Sequence, residues 1–170
     1  AALGGTGAAK CGGNYAASLL PQQEAFDNGC AQVAFLDSVE HKWVEELGGM
    51  NLYFVSADGS IVTPELSGSI LEGITRDSIL TIARDLGHEV VERKVSIDQW
   101  REGVADGSIS EVFACGTAAV VTPVGKLKWA GGEVGGADEP GPVTSRIREA
   151  LVDIQYGRAA DTHGWMTKVS

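Results

Sequence analysis

Basic side chains are in short supply in this sequence: 13 Lys and Arg stand against 23 Asp and Glu, for a formal net charge of −10. Nucleic acid or an anionic membrane surface is therefore not expected as the main partner, because binding either needs clustered Lys and Arg. Cysteine is scarce as well. Cys11, Cys30 and Cys115 are odd in number, widely spaced and without any C-x-x-C, so neither a disulfide framework nor a zinc site is indicated, which suits a reducing cytoplasm. The longest apolar run, Val112 to Val124, is broken by Gly116, Thr117 and Thr122 and falls short of the about 20 residues a membrane helix needs. The N-terminus has no charged stretch followed by an apolar one, so no signal peptide is expected. His41, His88 and His163 are isolated, with no H-E-x-x-H and no G-x-S-x-G partner, and are assigned no role. No repeat, low-complexity tract or long linker divides the chain. Its 170 residues, 44% of them hydrophobic, fit one domain with a real core.

What the chain does have is glycine around a lysine. Gly4, Gly5, Gly7, Gly12 and Gly13 surround Lys10, so the backbone there can take positive φ and approach a ligand where a Cβ would clash. A lysine held by such a loop can bind a phosphate, attack a carbonyl or sit in water, and spacing alone leaves all three open. Two familiar phosphate loops are excluded. The P-loop needs G-K-[ST], whereas Lys10 lies between Ala9 and Cys11. The dinucleotide fingerprint needs a glycine where Lys10 stands and a strand ahead of the loop. Ala1-Ala2-Leu3 runs into the loop with no element before it, so the chain reads as one entered midway.

Downstream, Asn14 to Asn28 reads as a helix capped by Gly13 or Asn14, kinked or divided at Pro21 and ended by Asn28-Gly29. Gln32–Leu36, Trp43–Leu47, Asn51–Val55 and Ile61–Thr63 have strand length, with Gly48-Gly49 and Ala57–Ser60 as turns, and this region is expected to be antiparallel. Thr75 to Leu86 carries Ile79, Ile82, Ala83 and Leu86 at steps of three and four. That is one face of a helix, with Thr75 as its N-cap and Gly87 as its stop. Glu89–Val95 then reads as a strand and Ile97–Ala105 as a helix. Glu111–Ala114 and Ala118–Val124 read as strands split by Cys115-Gly116-Thr117, and Gly131–Pro142 as a loop or hairpin. A last helix, Val143–Tyr156, precedes a polar tail that Trp165 is expected to pin.

Three places are chemically unusual: Lys10, the strand carboxylate Glu46 ahead of two glycines, and the helix start at Thr75. Each has an ordinary reading too, as a solvated lysine, an outward-facing carboxylate and a helix cap; Gly116-Thr117 likewise reads as a bend. A helix N-terminus with free N–H groups is nonetheless a good phosphate site. Together these are the parts that hold pyridoxal phosphate: a Schiff-base lysine, a pyridinium partner and a phosphate cup.

Five blocks go further. Lys10-Cys11-Gly12-Gly13-Asn14-Tyr15, Glu46-Leu47-Gly48-Gly49-Met50-Asn51, Leu71-Glu72-Gly73-Ile74-Thr75-Arg76, Phe113-Ala114-Cys115-Gly116-Thr117-Ala118 and Asp153-Ile154-Gln155-Tyr156-Gly157 resemble, in order, the motifs of branched-chain amino acid aminotransferases. Thr162-His163-Gly164-Trp165-Met166 is similar to an ending of actinobacterial members. The resemblance implies an α/β fold, the mixed-sheet pseudo-barrel of fold-type-IV pyridoxal-phosphate enzymes, here as the larger C-terminal domain.

By the same resemblance, Lys10 forms the Schiff base with pyridoxal 5′-phosphate, Tyr15 bonds its phenolic oxygen, and Glu46 faces the pyridine nitrogen. Leu71 packs on the ring. The amides of Ile74 and Thr75, with the Thr117 side chain, hold the phosphate, and the backbone at Thr117 and Ala118 meets the substrate carboxylate. The implied reaction is ping-pong transamination of leucine, isoleucine and valine with 2-oxoglutarate, by a homodimer. Two departures stand out: some relatives have threonine where Gly49 is, and Ala119 and Thr122 replace a C-x-x-C pair of mammalian members, so no thiol switch is expected there. The family's small N-terminal domain, which supplies an arginine and side-chain-pocket aromatics, is not in this sequence. Rival readings are a D-amino acid aminotransferase or aminodeoxychorismate lyase on the same cradle, or a non-catalytic domain retaining the fold.

Overall fold

A computed structural model describes residues 1–135 and 139–169. In chain order the elements are α1 (Gly12–Ala16), α2 (Leu19–Asp27), β1 (Ala34–Leu36), β2 (Val44–Leu47), β3 (Met50–Ser56), β4 (Ile61–Thr63), α3 (Ile74–Asp85) and β5 (Val90–Glu92). There follow α4 (Ile97–Asp106), β6 (Ile109–Gly116), β7 (Val120–Pro123), β8 (Lys126–Trp129), β9 (Gly132–Gly135) and α5 (Pro142–Gln155).

β3 is the axis of the sheet. Its whole length, Asn51 to Ser56, pairs antiparallel with β6, while its other edge is shared in turn by β2 at Met50 and Asn51 and by β4 at Phe54 and Val55. Sharing one edge between two strands requires the sheet to curl. β4 then pairs with β5 in parallel, the two being joined across α3. The sheet is therefore mixed, as expected, with one βαβ unit set into an antiparallel meander.

Alternation along β3 sends its side chains to two cores. Tyr53 and Val55 join Phe113, Cys115, Ile79, Ile82, Ile147 and Leu151 beneath α3 and α5. Leu52 and Phe54 join Val44, Leu47, Val95, Trp100 and Val112 beneath α4. Both faces are dry, which is why Leu52 to Val55 reads as an unbroken apolar run. Tyr53 stacks on Phe113 at 4.8 Å, and Phe54 meets Trp100 edge-on at 5.2 Å. The buried Tyr53 hydroxyl donates to the Arg76 carbonyl at 2.8 Å, so the phenol itself is not stranded.

Several expected boundaries move. The first helix is two, with Pro21 inside the first turn of α2, where its missing N–H costs nothing. Neither Gly13 nor Asn14 caps it; Cys11 precedes α1, and both residues lie within the helix. The expected strand at 89–95 keeps ladder pairing over Val90–Glu92, because Val95 turns away to accept from the Val44 N–H at 2.8 Å. Cys115 and Gly116 do not split two strands. They extend β6, and the turn falls at 117–119. Of the two readings of 131–142, loop or hairpin, the start is the second strand of a hairpin, β9 pairing with β8, while residues 136–138 lie outside the described residues. In the tail, Trp165 stacks on His163 at 4.4 Å, and His163 Nε2 lies 2.8 Å from Asp85 at the end of α3.

Candidate active site

The expected site residues collect at one end of β3. Gly48 (φ 31) and Gly49 (φ 92) form the two-residue turn between β2 and β3, where positive φ at both positions favours glycine. This hairpin presents Glu46, paired with Asn51, half-buried on the strand. Burial pushes the Glu46 carboxyl up; the positive N-terminal amine pulls it down, the adjacent Glu45 adds to the rise, and the Lys10 charge opposes it more weakly. Glu46 is thus not the solvated, outward-facing carboxylate of an ordinary alternating strand. Its neighbour Glu45 is buried and accepts a short hydrogen bond from Ser69 Oγ, which pairs with Ser67 Oγ at 2.6 Å.

Lys10 comes from the glycine loop. That loop is pinned at Gly7, the one buried residue ahead of Val44: a Cβ there would lie 2.2 Å from the Ser69 carbonyl oxygen, so only glycine fits. Lys10 Nζ lies 3.3 Å from Tyr15 Oη, and the Tyr15 ring stands beside the hairpin, 3.8 Å from where a Gly49 Cβ would be. Lysine and tyrosine therefore meet beside the hairpin that carries the carboxylate, although the three come from a loop, a helix and a strand. Lys10 itself is exposed.

The helix start expected to take a phosphate is built around Asn51. Its Nδ2 donates to the Leu71 carbonyl at 3.2 Å, and its Oδ1 comes so near Gly73 that a Cβ there would lie 2.4 Å away. Gly73, not Thr75, is the N-cap of α3: the first helical bond runs from the Asp77 N–H to the Gly73 carbonyl at 3.0 Å, leaving Thr75 in the first turn. The Asn51 contact favours Gly73 at the cap, and a glycine cap brings no side chain to the helix start. The amides of Ile74 and Thr75 have no intrahelical acceptor and no capping side chain. Beside the β2–β3 hairpin lies the β6–β7 turn, with Gly116 close to Met50 and with Thr117 and Ala118 exposed at its tip. Val120 closes that turn at φ 57, an unusual conformation for a β-branched residue and a local strain at the site. Leu71, Ile74, Thr75, Thr117 and Ala118 are all placed by this shared sheet end.

Sequence reading missed Asn51 and Gly73 as builders of the helix start, and the Glu45–Ser69 pair beneath Glu46. Their one visible signal was position, since Glu45, Asn51 and Gly73 lie in or beside blocks singled out for other residues. A cavity of about 510 Å³ lies at the opposite end of β3, lined by Phe54, Val62, Arg93, Glu102 and Asp106 among others. It contains none of the expected site residues, so the chemistry is placed by side-chain constellation rather than by concavity. Among the described residues no group of three or more His, Cys, Asp or Glu could hold a metal ion, and no helix is long and apolar enough to cross a membrane.

These residues fit pyridoxal phosphate. An amine, a phenol and a half-buried carboxylate stand near a two-glycine turn, and a twelve-residue helix with no capping side chain has free amides for a phosphate. Comparison with known proteins agrees. The Amino-transferase class IV family matches residues 7–127. A probable branched-chain-amino-acid aminotransferase of Streptomyces coelicolor is 63% identical over 166 residues, which is 96% of this chain and 45% of that protein. The branched-chain-amino-acid aminotransferase of Mycobacterium tuberculosis is 57% identical over 98% of this chain and 46% of its own length. Among solved structures, the T.th. branched-chain amino acid aminotransferase with pyridoxamine 5′-phosphate superposes with a TM-score of 0.82 at 42% identity, over 96% of this chain and 50% of that one. The chain spans about half the length of the relatives it matches.

Proposed function

Because the chain belongs to the class IV aminotransferase family, we propose that it serves pyridoxal-phosphate-dependent transamination of leucine, isoleucine and valine with 2-oxoglutarate, by a ping-pong cycle. The observation that carries this reading is the meeting of Lys10 with Tyr15 at 3.3 Å, beside the hairpin that carries a half-buried Glu46. When bound, the cofactor supplies an electron sink that stabilises negative charge at the substrate α-carbon.

The residues divide the work. Lys10 holds the cofactor through its amine and, once freed by the incoming substrate, moves a proton at the substrate α-carbon. Tyr15 donates to the cofactor's phenolic oxygen from beside Nζ. Glu46 faces the pyridine nitrogen, where a carboxylate makes a charge-assisted bond to a protonated ring. The amides of Ile74 and Thr75 and the hydroxyl of Thr117 hold the phosphate, Leu71 packs on the ring, and the backbone of Thr117 and Ala118 receives the substrate carboxylate. Residues 1–170 form, on this reading, a single cofactor-binding domain that works in the cytoplasm as a homodimer, its side-chain pocket completed by the half of the relatives that this chain does not match.

The test is spectroscopic. Pyridoxal phosphate added to the purified chain should give the visible band of lysine-bound cofactor, bleached by leucine and not by D-alanine. Lys10→Ala should remove the band and any turnover together. Turnover by the isolated chain is expected to be slow; survival of both band and turnover in Lys10→Ala would overturn the assignment.

A further inference from the structure

We infer that Asn14 is a positioning residue for Lys10, a role that rests on the reading of Lys10 as the cofactor-binding amine. The loop before Lys10 has no helix or strand and one buried residue, Gly7. Its course is fixed by two consecutive turns. The Ala9 N–H donates to the Thr6 carbonyl at 2.9 Å, closing a four-residue turn, and the Cys11 N–H donates to the Ala9 carbonyl at 2.9 Å, closing a three-residue turn with Lys10 at its centre. A three-residue turn is held by a single poor hydrogen bond and does not persist unaided.

Asn14 stitches the two turns together. Its Nδ2 donates to the Thr6 carbonyl at 2.8 Å and to the Ala9 carbonyl at 2.8 Å, the same two oxygens that close the turns, while Thr6 Oγ1 donates to its Oδ1 at 2.6 Å. One amide thus uses both of its donor hydrogens and its oxygen within the eight residues before it. Lysine has no acceptor, a serine hydroxyl has one donor, and aspartate would set a negative oxygen against two carbonyls; asparagine meets the requirement. Because Asn14 also lies inside α1, next to Tyr15, the clamp joins the backbone that carries the amine to the helix that carries the phenol. The 3.3 Å approach of Lys10 Nζ to Tyr15 Oη is set from both sides by this residue. Its place in the sequence suggested a helix cap, and the structure gives it a different task.

The clamp lies outside both hydrophobic cores, so its removal should leave the fold intact and loosen the two turns around Lys10. The assay is reductive attachment of pyridoxal 5′-phosphate to the full chain. The lysine nitrogen bonds to the aldehyde carbon with loss of water, cyanoborohydride delivers hydride to the resulting double bond, and mass spectrometry locates the label. Misplacement of a reacting atom by about 1 Å can cost up to about 100-fold. Asn14→Ala should lower the maximal labelling rate at Lys10 by about 10-fold or more while the aldehyde concentration for half-maximal rate stays near that of the parent. A general loss of structure would move both, and the melting temperature, which is expected to hold. Thr6→Val, which removes one of the three bonds, should show a smaller loss. Hydrogen exchange reads the clamp without cofactor: the Ala9 and Cys11 amides should exchange faster in Asn14→Ala. Labelling of Lys10 at the parent rate in Asn14→Ala, or unchanged exchange at those two amides, overturns the proposal. Label that goes elsewhere in the parent chain sinks the reading of Lys10 instead, and the exchange measurement still decides the clamp.

Discussion

Two regions of the molecule hold functional groups in opposite ways. Glu46, Thr75 and Thr117 stand on turns, a strand and a helix anchored in a sheet with two buried cores, and those elements fix where they sit. Lys10 and Tyr15 belong to the first 32 residues, where Gly7 is the one buried position and where the nine-residue α2 buries nothing. Helices this short are marginal on propensity alone, so that region is held by hydrogen bonds and by one steric fit. Position is cheap to maintain where a core already exists. In a segment without a core, each functional atom needs its own local restraint, and the glycine loop is dense with them.

The contrast can be broken from the packed side with the largest effect. Phe113→Ala removes the ring that stacks on Tyr53 at 4.8 Å in a fully buried site and should cost about 3–5 kcal/mol, read as a shift in urea unfolding of the whole domain. An unfolding transition that moves for the sheet but not for residues 1–32 would show that the loop region folds by itself, against the division drawn here. Gly7→Ala attacks the other side. Its Cβ would lie 2.2 Å from the Ser69 carbonyl oxygen, and overpacking of this kind costs about 1–3 kcal/mol. The expected result is early proteolysis in the first 32 residues and slower labelling of Lys10, with the sheet's melting almost unchanged. Loss of cooperative folding in this variant would mean that the loop is part of the core. Gly73→Ala is the matching change at the phosphate end, where the added carbon would meet Asn51 Oδ1 at 2.4 Å. Its φ of −68° is ordinary, so the strain is purely steric and falls on the start of α3. Weaker retention of pyridoxal phosphate by about 10-fold, with Lys10 labelling at saturation preserved, is the expected split; equal retention would remove Gly73 from the site.

The same division explains what could be read in advance. The strands around β3 and the helices α3, α4 and α5 were visible because apolar periodicity records burial, and these are the elements that bury something. Ile79, Ile82 and Ala83 fell at helical steps and do line the core. Boundaries failed where an unseen partner decides them. Thr75 has the chemistry of an N-cap, but Gly73 takes the position against the side chain of Asn51, 22 residues upstream. Cys115 and Gly116 have turn chemistry, but pairing with β3 and β7 keeps them in β6. In the glycine loop no periodicity exists to be read. Lys10 was picked out by the glycines around it, Glu46 by the two glycines after its strand and Tyr15 by likeness to family motifs, while Asn14, whose work is done through backbone carbonyls, left no pattern in spacing.

The smallest expected effect tests whether the two regions communicate at all. Burial raises the Glu46 carboxyl and the Lys10 charge opposes that rise. A carboxyl raised in the folded protein binds its proton more tightly there than in the unfolded chain, so stability falls as pH climbs from the unfolded value of about 4.3 through the folded one. Lys10→Met removes the smaller of the two opposing charges and leaves that of the N-terminal amine. The Glu46 titration, followed by carbon NMR of labelled glutamate, should then move further upward, and the variant should be less stable than the parent at neutral pH but equal to it below pH of about 4. In a Glu46→Gln background the same lysine change should leave no pH-dependent difference. An unchanged Glu46 titration in Lys10→Met would mean that solvent screens the pair, as it does for most exposed charges. Lys10 and Glu46 would then share a sheet end without sharing an electrostatic field, and the cofactor itself would have to supply the coupling between loop and sheet.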